Sequence, residues 1–457
     1  MNSTARNAPP AYQAALDYLY SFVDYETKMP PSPQHARFNH GRMRLLLDAL
    51  GRPQHSYPSV VVAGTKGKGS TCAFTESILR HAGYRTGLYT SPHLHSWRER
   101  VQVERRLITQ NDVVRYVELL KPIVERLDER GQPTLFELTT ALALRYFADQ
   151  AVDVAILEIG MGGRYDSVNV VTPAVSAITP ISYDHMAVLG TTLPEIAANK
   201  AGIVKPGVPV VVAPQWMEAE TEIRREAEQL GAPMYRAELD GLRRVVPDEA
   251  AGPTALTERP EPLAYPVPIR AEGLGLGGAH QLENARVAAG ITLLLRPHGF
   301  VVDAAAVAAG LRDTRWPGRF EVVGREPTIV LDGAQNAASA GRLREALNSL
   351  GYRRLILVLG TSRDKDIDGI VRELVPGADA VVLTRSRHPR SATVEQLEAH
   401  VLPLLRPNAT LLHTDDVPPA LAAARGMARP SDLICVTGSL FPVAAAREAL
   451  GIATEVD

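Results

Sequence analysis

Val60-Val61-Val62-Ala63-Gly64-Thr65-Lys66-Gly67-Lys68-Gly69-Ser70-Thr71 constrains the rest of the chain more than any other stretch. An apolar run of strand type enters a turn with three glycines, and a helix is expected from near Ser70. Glycines let the backbone curl around an anion with successive N–H groups facing inward. The helix start adds roughly half a positive charge, and a lysine a full one. The strict phosphate-loop pattern has its lysine six residues after the first glycine, whereas Lys68 follows Gly64 by four. This is a shortened variant. The alternative is a glycine-rich turn with solvated lysines, which leaves the order strand, turn, helix without a purpose.

A strand at 85–90 follows the helix, so 60–90 forms a βαβ unit and predicts a parallel sheet. Helices are expected at 11–24, 43–50, 110–129, 136–149 and 193–204, and strands at 153–159, 174–179 and 208–213. The segment 247–268 holds six prolines in 22 residues and reads as an excursion on this domain. Gly273 to Gly278 spells a dinucleotide glycine pattern, but no acidic residue ends a second strand beyond it, so a tight turn is expected. Helices at 281–295 and 304–311 lead to Trp316-Pro317-Gly318-Arg319, where the rhythm breaks. The expected domains are 1–314, a doubly wound, mostly parallel α/β sheet of P-loop type, and 315–457, a smaller Rossmann-like α/β domain. Strands at 328–331, 355–360, 380–384, 410–413 and 433–437, with helices between them, make up the second.

At 457 residues, a length of ~150 per domain allows two or three domains. A net charge of −2 argues against a nucleic-acid or membrane surface as the main partner. Cys72 and Cys435 form neither a zinc pattern nor a disulfide framework. No run reaches the ~18 apolar residues of a membrane span and the N-terminus lacks an apolar signal core, so a cytoplasmic protein is expected.

Ligands in open α/β sheets sit beyond the C-terminal strand ends. Lys68 and one helix terminus supply about 1.5 positive charges, less than a nucleoside triphosphate needs, so a divalent cation is expected. The strand ends offer Ser91, Glu158, Asp184 and His185. Glu158 closes a strand expected to be buried on both faces; the alternative is a solvated carboxylate. His185 is open between a structural and a functional role. On the helix at 193–204, Lys200 shares a face with Leu193, Ile196, Ala197 and Val204. Its amine either snorkels to water or is neutralised, paired or chemically altered.

The chain is identified as resembling the folylpolyglutamate synthase and dihydrofolate synthase family, which belongs with the Mur-type amide ligases. The resemblance rests on Gly64 to Thr71, Thr90-Ser91-Pro92-His93, Leu157-Glu158-Ile159-Gly160-Met161-Gly162-Gly163, Asp184 to Gly190 and Asn199-Lys200-Ala201-Gly202-Ile203. His280-Gln281-Leu282-Glu283-Asn284-Ala285, Trp316-Pro317-Gly318-Arg319 and Asp332-Gly333-Ala334 continue it. It implies an ATP-dependent ligase that joins L-glutamate to the carboxylate of a folate or dihydropteroate through an acyl phosphate. By position, Gly64, Thr65, Lys66, Gly67, Lys68, Gly69 and Ser70 hold the phosphates, and Asn284, Arg319 and Asp332 contact the nucleotide. Ser91, Glu158 and His185 hold magnesium, with two ions expected. Lys68, Lys200 and His185 are the catalytic set, with Lys200 carbamoylated. Phe136 and Thr139 lie in the pterin-side segment. Arg390 meets the glutamate carboxylate or is a plain surface arginine. The second domain is expected to close over the first, and the protein to be a monomer.

Two departures stand out. Gln335 and Ala337 occur where the family has histidine and proline, and Gln335 cannot carry a proton or charge at neutral pH. Lys66 replaces the asparagine of bacterial members, as in eukaryotic folylpolyglutamate synthases. Rival readings are a Mur-type ligase on another carboxylate and a degenerate folate or nucleotide binder. A guanine-nucleotide switch would need Asn-Lys-x-Asp, and Asn199-Lys200 is followed by Ala201-Gly202.

Overall fold

The computed structural model describes residues 9–24, 40–127, 131–247, 256–258, 263–453 and 455–457. They form two compact units. The first comprises Met1–His93, Trp97–Leu274 and Leu282–Thr314; the second comprises Leu94–Ser96, Gly275–Gln281 and Arg315–Asp457.

The first unit holds an 11-stranded sheet. Its strands in chain order are β1 (Ser59–Ala63), β2 (Thr86–Tyr89), β3 (Val101–Val103), β4 (Arg106–Leu107), β5 (Val154–Glu158) and β6 (Val175–Ile178). They continue with β7 (Val210–Val212), β8 (Met234–Ala237), β9 (Gly241–Pro247), β10 (Leu256–Glu258) and β11 (Leu263–Ala264). The spatial order is β10-β9-β8-β7-β6-β1-β5-β2-β3-β4, with β11 also on β9. The six strands from β8 to β2 run parallel, and antiparallel strands extend both edges. β1 and β5 lie side by side in the middle and are buried along their whole length. Parallel strands covered on both faces must be continuously apolar, which is why Val60 to Ala63 and Val154 to Leu157 carry no polar residue. The first departure comes where β5 ends, at Glu158.

The proline-rich segment is more than an excursion. β9 pairs with β8, and β10 and β11 pair with β9, so its described parts prolong the sheet; 248–255 and 259–262 lie outside the described residues. Gly273 to Gly278 has no strand before it, only a short 3-10 turn at Ala271–Gly273, which removes the dinucleotide reading.

A buried ion pair fixes the helical layer beside the site. Arg42, on the helix His40–Ala49, donates from Nε and Nη2 to the Glu137 carboxylate at 2.8–3.1 Å, and the two side chains are 5% and 3% exposed. Glu137 also accepts the Thr134 N–H, closing a capping box on the helix Leu135–Asp149. Removing one partner of a buried pair leaves the other charge uncompensated. Arg42→Ala is therefore expected to destabilise the unit by about 3–5 kcal/mol, read as a lower urea midpoint; an unchanged midpoint would show that water reaches Glu137.

The second unit has a six-stranded sheet of β12 (Glu321–Arg325), β13 (Thr328–Leu331), β14 (Leu355–Leu359), β15 (Ala380–Leu383), β16 (Thr410–His413) and β17 (Leu433–Thr437). The order is β12-β13-β17-β14-β15-β16, parallel except for β12. Among the described residues no helix is long and apolar enough to cross a membrane.

Candidate active site

β1 delivers the chain to Gly64, and from there the loop splits into two halves. The N–H groups of Thr65 and Lys66 donate to the Pro180 carbonyl at 3.1 and 3.3 Å, so they do not face a ligand. Gly67 is left-handed (φ +89°) and caps a helix, Lys68–His81, that begins two residues earlier than expected at Ser70. The first intrahelical bond of that turn runs from the Thr71 N–H to the Gly67 carbonyl at 2.8 Å, and no side chain caps the helix. The N–H groups of Lys68, Gly69 and Ser70 are thus the open donors of a helix N-terminus, with the helix dipole behind them. A Cβ on Gly67 would lie 2.1 Å from Asn284 Oδ1, so the Asn284 amide packs directly on this half of the loop.

Two lysines converge on one acceptor. Lys68 Nζ donates to the Gly64 carbonyl at 3.3 Å and Lys200 Nζ to the same oxygen at 2.9 Å. Lys200, near the end of the helix Leu193–Ala201, is only 3% exposed; its amine points inward and does not snorkel. Burial lowers its pKa to about 7, with Lys68 and Lys66 acting in the same direction and Asp184 and Asp166 opposing them. Glycines of the 160–163 loop make the close approach possible: a Cβ on Gly163 would stand 2.8 Å from the Lys200 carbonyl.

The strand ends gather the oxygen donors. β2 pairs with β5, and this brings the Ser91 N–H to Glu158 Oε2 at 3.1 Å, with Glu158 5% exposed. Asp184 Oδ2 lies 3.1 Å from Lys66 Nζ, and Oδ1 accepts the N–H of His185 at 3.0 Å. His185 is left-handed (φ +51°), and its ring stands 3.9 Å from Asp184. Among the described residues no group of three His, Cys, Asp or Glu side chains is placed to hold a metal ion. The Ser91 hydroxyl and the Glu158 carboxylate are nevertheless hard oxygen donors on adjacent strand ends, the chemistry magnesium takes, with water and phosphate oxygens completing its shell.

Asp166 was not anticipated. It is 5% exposed, and its carboxylate accepts the N–H groups of Met161 and Val168 at 3.0 and 2.9 Å. Burial raises its pKa to about 6, against those bonds and the charge of Lys68. The only signal for it in the chain is an aspartate at the start of the short turn Ser167–Val170, which it caps.

The pterin-side expectation divides. Phe136 is half-buried and covers Gly160, where a Cβ would lie 2.6 Å from the ring; Tyr89 stands 5.9 Å away, centroid to centroid. Thr139 is corrected: it is fully buried, and its hydroxyl donates to the Leu135 carbonyl within its own helix at 2.8 Å, which leaves no face for a substrate.

In the second unit, Asp332 follows β13, and its two oxygens accept the N–H groups of Phe320 and Ala334 at 2.8 and 2.9 Å. The Arg319 guanidinium lies against Gly333, 3.0 Å from where a Cβ would be. The Gln335 N–H donates to Ser339 Oγ at 3.0 Å, at the start of the helix Ala337–Asn348. Arg390 Nη1 pairs with the partly exposed Asp364 at 2.8 Å. Three further groups escaped the sequence. The hydroxyls of Thr361, Thr384 and Thr437 lie buried without hydrogen-bond partners at the C-terminal ends of β14, β15 and β17. Each is the first polar side chain after an apolar strand or its last residue, a signal that was open to reading.

Comparison with known proteins bears on both units. Residues 62–292 match the Mur ligase middle domain and residues 318–440 the Mur ligase glutamate ligase domain. The chain is 40% identical over 407 residues to a probable bifunctional folylpolyglutamate synthase/dihydropteroate synthase of Halobacterium salinarum, covering 88% of this chain and 48% of that protein. It therefore spans about half the length of that relative. It is 36% identical over 447 residues to the dihydrofolate synthase/folylpolyglutamate synthase of Bacillus subtilis, covering 96% of this chain and 99% of the relative. Among solved structures, Mycobacterium tuberculosis folylpolyglutamate synthase complexed with ADP and AMPPCP is similar, with a TM-score of 0.80 and 30% identity, over 97% of this chain and 100% of that one.

Proposed function

The chain belongs to the folylpolyglutamate synthase/dihydrofolate synthase family of Mur-type ligases, and from that premise we propose that it is an ATP-dependent ligase adding L-glutamate to the carboxylate of a reduced folate. One observation carries the reading most directly. An uncapped helix N-terminus opens at Lys68, and the amines of Lys68 and Lys200 meet on the Gly64 carbonyl beside it. This is a site built for concentrated negative charge.

In the proposed reaction a carboxylate oxygen of the folate attacks the γ-phosphorus of ATP. The bond from that phosphorus to the bridging oxygen breaks, and ADP leaves. The glutamate amine, as free base, then attacks the acyl carbon; phosphate departs and the nitrogen loses a proton. Lys68 and the N–H groups of Lys68, Gly69 and Ser70 stabilise charge on the transferred phosphoryl group. Bound magnesium would neutralise phosphate charge, held by Ser91 and Glu158 with His185. At a pKa of about 7, Lys200 is largely neutral in mildly alkaline solution. That is the form whose nitrogen bonds to the carbon of CO2 and releases a proton, so carbamoylation of Lys200 belongs to the proposal. Residues 1–314 would bind ATP and 315–457 would serve glutamate ligation, where Arg390 offers a polar contact for the glutamate carboxylate. Asn284, Arg319 and Asp332 are proposed nucleotide contacts. A monomer working in the cytoplasm completes the reading.

The Bacillus subtilis relative carries both activities in its name over 99% of its length, which favours a second substrate, dihydropteroate, in the same chemistry. With ATP, magnesium, L-glutamate and tetrahydrofolate, phosphate release is expected only when all four are present. Release that ignores folate and glutamate would sink the ligase reading; release with dihydropteroate in place of tetrahydrofolate would establish the second substrate.

A further inference from the structure

Two lysines of one short motif have opposite destinations. Lys68 starts the helix, and its N–H is among the open donors. Lys66, two residues earlier, sends its N–H to the Pro180 carbonyl at 3.3 Å and its ammonium to Asp184 Oδ2 at 3.1 Å. The pair is mostly enclosed, with side chains 17% and 14% exposed, so salt screens it less than a surface pair.

Asp184 divides its carboxylate. One oxygen takes the Lys66 ammonium, and the other takes the N–H of His185, the residue that starts the helix Met186–Leu189. His185 has a left-handed backbone. A residue with a Cβ keeps that conformation only where its surroundings fix it. Thr65 reinforces the same connection: its Oγ1 donates to the Ser182 carbonyl and accepts the Ser182 N–H, both at 3.1 Å. Thr65 and Lys66 are thus bonded to 180–185 by backbone and side chain alike, while the phosphate-facing half of the loop begins after them.

The geometry points to Lys66 as a positioning residue that acts through Asp184 on His185 and does not touch the nucleotide. Its ammonium neutralises a carboxylate beside the cation site and locks the backbone that aims the imidazole. The role rests on the ligase reading for the metal–nucleotide complex it serves, and it reassigns a lysine that the family resemblance places on the phosphates. Lysine at this position then matters for the metal side of the site, with Asp184 as its obligatory partner.

The test measures binding of a β,γ-methylene ATP analogue to the full chain by calorimetry, first in EDTA and then over a magnesium titration. Lys66→Ala is expected to bind the analogue in EDTA within about twofold of wild type, while the magnesium needed for half-maximal tightening rises about tenfold, as for loss of an outer-shell partner. Lys66→Arg restores the charge and is expected to recover to within about threefold, which separates positioning from a folding defect. Asp184→Asn should give the same magnesium defect, and the double variant should be no worse than either single one, since both break one link. A tenfold loss in EDTA would make Lys66 a phosphate contact and overturn the assignment. An unchanged magnesium titration would overturn it as well. Failure of the ligase reading itself shows separately, as absent glutamate-dependent phosphate release by the wild type.

Discussion

Gly64→Ala is expected to weaken nucleotide binding ~100-fold and to cost about 2–6 kcal/mol of stability, the sum of overpacking and an unfavourable backbone. The new Cβ would lie 1.9 Å from Thr179 Oγ1 and 2.9 Å from the Thr179 carbonyl, and φ at this position is +142°. Thr179 cannot step aside. It is fully buried, and both its N–H and its hydroxyl donate to the Ala63 carbonyl, at 2.8 and 3.2 Å. The loop must therefore move, and the Gly64 carbonyl that gathers Lys68 and Lys200 moves with it. A displacement that removes about 3 kcal/mol of phosphate interaction weakens ADP binding ~100-fold, measurable by calorimetry next to a urea titration. Gly83→Ala is the control. Its φ is also positive, +90°, but nothing lies within 4 Å of the new Cβ. It should lose only about 1 kcal/mol and bind ADP normally. If Gly64→Ala binds ADP as the wild type does, the phosphate cradle has been placed in the wrong stretch.

What the sequence disclosed follows from where each residue gets its environment. β1, β5 and β17 are buried along their length, so all but a terminal residue of each is apolar. A polar residue closing such a run, Glu158 above all, stands out. The strands that went unread are short or lie on edges. β3 and β4 have three and two residues. β9 carries Arg243 and Arg244 and pairs antiparallel with β8 on one side and with β10 and β11 on the other, so its pattern is set by its neighbours. The helix Met217–Gln229 carries little sequence signal, because its buried stripe is only Ala219, Ile223 and Ala227, with Glu220 and Arg224 folded in beside them.

Within the site, local geometry was legible and distant partners were not. The apolar face of the helix at 193–204 showed an odd lysine, yet whether Lys200 snorkels depends on Gly64, 136 residues away. The helix start moved to Lys68 because a left-handed glycine, not a side-chain cap, begins it. Thr139 looked available to a substrate, but its hydroxyl is held by a carbonyl one turn back. For Lys66 the motif gives the residue type, while Asp184, supplied by another strand end, gives the role.

Lys200→Met is expected to lower kcat about 1000-fold while leaving the protein as stable at pH 7 as the wild type, or more so. The activity estimate is at the upper end of what one preorganised donor contributes, because the amine or its carbamate stands beside the phosphate cradle. The stability half follows from burial. Holding an ammonium in a site 3% exposed is unfavourable, and the folded pKa of about 7 lies far below the ordinary value of 10.5. Between those values the unfolded chain binds a proton that the folded chain does not, so wild-type stability rises with pH. The advantage of methionine should be largest at or below pH 7, at most about 5 kcal/mol, and should shrink as pH climbs toward 10. Urea midpoints from pH 6 to 10 in CO2-free buffer would record it. In the same buffer the wild-type turnover is expected to fall and to recover on adding bicarbonate, a response that Lys200→Met should lack. Wild-type kcat in the methionine variant would remove Lys200 from the chemistry. A variant less stable at every pH would instead show that the bond to the Gly64 carbonyl outweighs the cost of burying the amine.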